Sequence, residues 1–264
     1  MILAGVTMTN DPLLGARLKI ARAKHHINDL NAQANDFFAA HWGLVVTEKP
    51  ETGERSLFLK SDKTLPEDFG VLIGDAVHNL RSALDHVIWA FVSPHNPRNP
   101  AKVQFPFTRD ADSLKASIID RQIDLAGPKV VGIINDARPY KGGSDKLVGL
   151  HNLSILDKHK LLTPIASLSF FRKFNIRTID PAAPEMPTYD HFGGVGFENK
   201  SLWTWLPVDP ADRRVFESNA KIPSSSAILF AEDQPFANHF VIKTLVELRT
   251  EVIRIVDKFE GLKP

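Results

Sequence analysis

A chain of 264 residues, 43% hydrophobic and 24% charged, has the composition of a folded globular protein and lies far from the range of disordered chains. Its formal net charge of +1 gives no whole-molecule argument for nucleic acid, and the absence of cysteine excludes disulfides, thiolate metal sites and a cysteine nucleophile. No run approaches the roughly 20 apolar residues of a membrane span, and Met1–Val6 lacks the basic start of a secretory leader, so a cytoplasmic protein without membrane contact is expected.

In chain order, residues 12–41 predict an amphipathic helix. Leu14, Leu18, Ala21, Ile27, Leu30, Ala34, Phe37 and Phe38 recur at helical spacing behind an Asp11-Pro12 start. Arg17, Lys19, Arg22, Lys24, His25 and His26 on this helix read as a solvated basic face. Residues 44–47 and 56–59 flank a turn-rich segment and predict a β-hairpin. A long helix over 66–92 stops before Ser93-Pro94, where proline forbids continuation. Residues 94–108 form a proline-rich loop and 110–123 a shorter helix. A Gly/Pro-marked stretch at 127–143 leads to a helix over 144–161 that Ser144, or the glycines before it, would cap.

From 163 to 230 the character changes to short β-rich runs at 165–171, 175–179, 194–197, 202–206, 214–217 and 227–230. Together they predict an antiparallel meander. A last helix over 235–260 closes the chain. The class is therefore α+β: a helix-rich part over 1–162 with a hairpin, then a β-meander and closing helix over 163–264, packed as one unit. Neither Gly142-Gly143 nor the glycines at 193–196 stand between a strand and a helix with phosphate-loop spacing, which argues against a Rossmann or P-loop site.

Two helices carry the chemistry. Val77, Leu80, Ala83, Leu84, Val87 and Ile88 make one apolar stripe, while Asp75, His78, Asn79, Ser82, Asp85 and His86 occupy the other side. Short polar groups are suited to fixed hydrogen-bond networks, unlike the long lysines and glutamates of an ordinary wet face. The second helix repeats the theme in His151-Asn152-Leu153 and Asp157-Lys158-His159, and leucines around it predict burial. Buried ionisable groups need partners, so the two helices are expected to pack with these side chains converging.

Histidine moves protons near neutral pH, a carboxylate fixes its tautomer, and arginine presents a planar fork matched to phosphate. Arg81-Ser82-Ala83-Leu84-Asp85-His86 resembles the signature of HEPN-domain ribonucleases: an arginine followed by a polar residue, then a histidine after four intervening residues. The resemblance implies an intracellular, metal-independent endoribonuclease of defence or toxin type, usually a homodimer, acting on RNA. Arg81 and His86 would then be catalytic, Ser82 supporting, with Asp85 and His78 as neighbouring carboxylate and proton carrier. The wider pattern from Gly74 to His86, followed by Asp157-Lys158-His159, is also similar to a group of uncharacterised bacterial proteins and brings no activity with it.

Two other readings stay open. Asp75, His78, Asp85, His151, Asp157 and His159 could hold a divalent metal ion through oxygen and nitrogen ligands, although Arg81 among them would repel a cation. A non-enzymatic binding or scaffold protein would instead use Trp89, Trp203 and Trp205 as anchors. The alternation Leu202-Trp203-Thr204-Trp205-Leu206 puts both tryptophans on one sheet face, where they pack under a helix or stack on a base.

Overall fold

The computed structural model describes residues 11–61, 63–171, 176–178, 180–185, 192–195, 201–209, 219–220 and 224–264. Its helices are α1 (Leu14–His41), α2 (Asp68–Val92), α3 (Ala111–Asp120), α4 (Pro128–Ala137), α5 (Asp145–Asp157) and α6 (Val241–Asp257). The strands are β1 (Trp42–Glu48), β2 (Arg55–Ser61), β3 (Pro164–Phe171), β4 (Phe192–Val195), β5 (Ser201–Trp205), β6 (Asn219–Ala220) and β7 (Ser224–Phe230). Helices first, small antiparallel sheets after, and a closing helix make this an α+β protein. Among the described residues no helix is long and apolar enough to cross a membrane.

The helix α2 is central because its apolar stripe is unusually broad. Ile73, Ala76, Val77, Leu80, Ala83, Leu84, Val87, Ile88 and Phe91 are all buried, and α1, α5 and α6 pack around them. Small residues set the closest approaches: Ala16, Ala23 and Ala34 line the buried side of α1. At the far end Phe91 meets Phe259, which follows α6, with ring centroids 5.2 Å apart. Truncating such a fully buried phenylalanine to alanine costs roughly 3–5 kcal/mol in a close-packed core.

The ends follow local rules. Asp110 caps α3 by accepting from the Ser113 N–H at 2.9 Å, and Ser144 caps α5 by accepting from Leu147 at 3.3 Å. The stretch 127–143, expected as irregular, contains α4. Gly127 takes φ +86°, Pro128 opens the helix, and Val130, Ile134 and Ala137 bury one face. The periodic signal was present but two turns long and broken by Gly132, so the punctuation outweighed it.

The β region is not one meander. One sheet has the order β5-β2-β1-β6 and the other β4-β3-β7, so strands from beyond residue 163 extend the early hairpin on both edges. The expected strand at 175–179 is a 3₁₀ turn, Ile176–Thr178, where it is described, and the one expected at 214–217 lies outside the described residues. The hairpin sheet is pinned by charge. Arg55 and Asp180 are both 0% exposed and ion-paired at 3.0 Å, while Arg55 also meets Glu48 at 2.8 Å. Trp205 donates its indole N–H to Asp180 at 2.9 Å, so this tryptophan is a buried brace rather than a stacking platform.

Candidate functional site

Around α2, at 100° per residue, Arg81, Asp85, His78, Ser82, Asp75 and His86 follow one another along a single polar arc. The helices α1 and α5 flank that arc and both run antiparallel to α2. On the α1 side, His86 lies over Gly15 and His26 faces Asp75 at 3.8 Å. On the α5 side, the Asp157 carboxylate sits over Gly74, and His151 lies level with the Arg81 end. Both glycines are there for space: a Cβ on Gly15 would stand 2.6 Å from His86 Nδ1, and one on Gly74 2.2 Å from Asp157 Oδ1.

The arc divides into two ends. At the first, Asp75, His78, His26 and Asp157 gather. Burial lowers the His26 proton affinity, with Asp75 opposing. Burial raises the Asp157 carboxyl, Asp75 adds to the rise, and His78 opposes it. His78 Nε2 and Ser82 Oγ are 3.4 Å apart. A carboxyl that holds its proton beside two imidazoles is a proton-sharing set.

The second end is cationic and aromatic. Arg81 pairs with Asp85, donates to the Phe105 carbonyl at 3.4 Å and places its guanidinium 4.5 Å from the Phe107 ring centre. Asp85 in turn accepts from the Phe105 N–H at 2.8 Å, which ties the 103–107 loop to α2. The His151 ring stacks on Phe107 at 4.4 Å and 2°. Burial, then Arg81, Arg121 and Lys158, hold His151 down to about 4, with Asp85 opposing, so it is a neutral imidazole at physiological pH. Arg121 is lowered by burial first and then by Arg81.

Beside this end opens a pocket of about 320 Å³, whose walls include Phe107, Thr108, Arg109, Lys141, His151 and Asn152. Thr108 donates its N–H to the Pro139 carbonyl at 3.1 Å, which fixes the two rim loops to each other. No carboxylate stands among the described residues lining it.

The His151 shift has a testable consequence. Between pH 6.5 and about 4 the unfolded chain takes up a proton at this imidazole and the folded chain does not. Stability from His151 is therefore present above pH 6.5 and is lost as pH falls toward 4. Acidifying from about pH 7 to about pH 5 is expected to lower the melting temperature of the wild type more than that of His151→Phe, which keeps the stacked ring. Equal losses would assign the acid sensitivity to other groups.

The expected convergence is thus divided. Asp75, His78 and Asp157 come together, and Arg81, Asp85 and His151 form a second set, but His86 turns to α1 while Arg81 turns to the 103–107 loop. His159 is exposed beyond the end of α5. Leucines do not enclose α5 on all sides, since Ile155 is 44% exposed and Asn152 faces solvent. Among the described residues no three His, Asp or Glu side chains form a group that could hold a metal ion, the six named above included. Arg172 and Lys173, expected as basic walls, lie outside the described residues, whereas Lys158 and Lys160 are exposed near the end of α5.

Sequence reasoning missed His26, Phe107 and Arg121. His26 is only 7% exposed, not part of a wet basic face. Its signal was the small-residue spacing of α1, in which Gly15 and Ala23 mark the side that faces α2. No protein-family model, no curated protein and no solved structure matches this chain.

Proposed function

We propose that this protein binds a phosphate-bearing ligand of the nucleotide class, in the form of single-stranded RNA, in the pocket beside His151. The observation that carries the reading is the lining: Arg109 and Lys141 with no described carboxylate, backed by Arg81 and Arg121, and a parallel Phe107–His151 pair in the wall. Cations give phosphate affinity, aromatic faces stack on bases without sequence preference, and Thr108 and Asn152 supply hydrogen bonds for sugar or phosphate. Binding, rather than cleavage by Arg81 and His86, is what the separate orientations of those two side chains favour.

The test is fluorescence anisotropy of a labelled single-stranded RNA oligomer in EDTA, over a salt series, with AMP as competitor. Lys141→Glu is expected to weaken binding about tenfold and to flatten the salt dependence by about one unit of slope. RNA that binds with the same affinity to wild type and to Lys141→Glu would sink the proposal. RNA cut in EDTA by the wild type and left whole by His86→Ala would restore the ribonuclease reading and move the site to the α1 side.

A further inference from the structure

A second cavity, of about 500 Å³, lies at the first turn of α6, on a different side of α5 from the pocket above. Phe236, Phe240 and Leu248 supply its apolar walls. The α6 N-terminus breaks the usual rules of helix starts. Its N-cap is Phe240, no side chain caps it, and its first turn has no acidic residue. Lys243 stands in that turn and His239 just before it, so cations are placed where the helix already presents partial positive charge. The N–H groups of Val241, Ile242 and Lys243 have no acceptor within the helix.

Thr244 provides an independent observation. It lines the same cavity, is only 7% exposed, and its hydroxyl has no hydrogen-bond partner among the described residues. A buried hydroxyl is normally satisfied, and one left open toward a cavity points to a group that comes from outside. The two carboxylates of the lining do not fill this role. Glu247 is tied to Lys146 at 3.2 Å, and Asp145 sits in the first turn of α5, where its own helix favours a negative charge. The wall is also built for a close fit: a Cβ on Gly149 would stand 2.1 Å from Phe236, and Phe236 and Asn238 both hold φ near +63°.

We propose that this cavity binds a small organic anion with an apolar body, its carboxylate or phosphate received by the α6 N–H groups, Thr244 Oγ1 and Lys243. The apolar body packs on Phe236, Phe240 and Leu248.

The experiment is isothermal titration calorimetry of the full chain with benzoate, phenyl phosphate, inorganic phosphate and benzyl alcohol. Benzoate or phenyl phosphate is expected to bind at least about tenfold more tightly than benzyl alcohol and than inorganic phosphate. Which of the two binds better identifies the head group. Thr244→Val, which keeps shape and removes only the hydroxyl, is expected to weaken that binding about three- to tenfold with an unchanged thermal melt. Lys243→Glu is expected to weaken it at least about tenfold. No heat with either anion, equal binding of benzyl alcohol, or equal binding of inorganic phosphate overturns the proposal. So does affinity untouched by Thr244→Val. Binding lost in Lys141→Glu and kept in Thr244→Val and Lys243→Glu would place the anion in the pocket beside His151, and also overturns it.

Discussion

Replacing Asp180 by alanine is expected to destabilise the protein by about 3–5 kcal/mol, because it strands a buried guanidinium. Arg55 is enclosed in the hairpin sheet with its Nη1 at 3.1 and 3.0 Å from the two Asp180 oxygens. Burial works against the Arg55 charge, and hydrogen bonds to Glu48 and Asp180 outweigh it, so its proton affinity lies above the ordinary arginine value. Asp180 also accepts from the Trp205 indole and from the Ala182 N–H at 3.0 Å, so one substitution leaves several donors unsatisfied. For a chain of this size, the loss corresponds to a fall in melting temperature on the order of 10 °C. The double variant Arg55→Met with Asp180→Leu removes both charges and is expected to be less damaging than Asp180→Ala alone. Calorimetric melts of the three proteins decide it. A double variant as unstable as the single one would show that shape, not uncompensated charge, governs the site.

Arg81→Ala is expected to cost about 2–3 kcal/mol, less than the Arg55 case because Asp85 is partly exposed and water recovers some of its charge. The same change is expected to weaken RNA binding about tenfold or more, because Arg81 fixes the wall of the pocket from behind. Its guanidinium lies on Phe107, Phe107 stacks on His151, and Asp85 holds the Phe105 backbone, so removing it loosens ring and loop together. Arg81→Lys keeps the charge and loses the planar fork, and less than half of the stability is expected to return. Chemical denaturation alongside RNA titration separates the two effects. Full RNA affinity in a destabilised Arg81→Ala would remove this end of the arc from the binding site.

The sequence by itself determined the features that repeat along the chain. The apolar stripe of α2 was readable because buried positions recur with the helical period, and each of the six residues assigned to it is buried. Hairpin β1–β2 was readable from two alternating runs around a turn, and Ser144 was readable as a cap because a hydroxyl at a helix start answers an open N–H. The pairing of Arg81 with Asp85 also follows from local spacing, since residues four apart on a helix are neighbours.

What only the tertiary structure decided is everything that joins distant positions. Strand β5 pairs with β2, and β6 with β1, because sheet edges are filled by matching faces rather than by chain neighbours. Arg55 finds Asp180 across 125 residues, a distance at which sequence carries no signal about partners. On α2 the polar arc was legible, but its division was not. The antiparallel placement of α1 brings Gly15 to His86 and His26 to Asp75, while α5 brings Asp157 to Gly74 and His151 toward Arg81. Helical periodicity fixes which way a side chain points from its own axis, whereas the depth and register of the neighbouring helices decide what it meets.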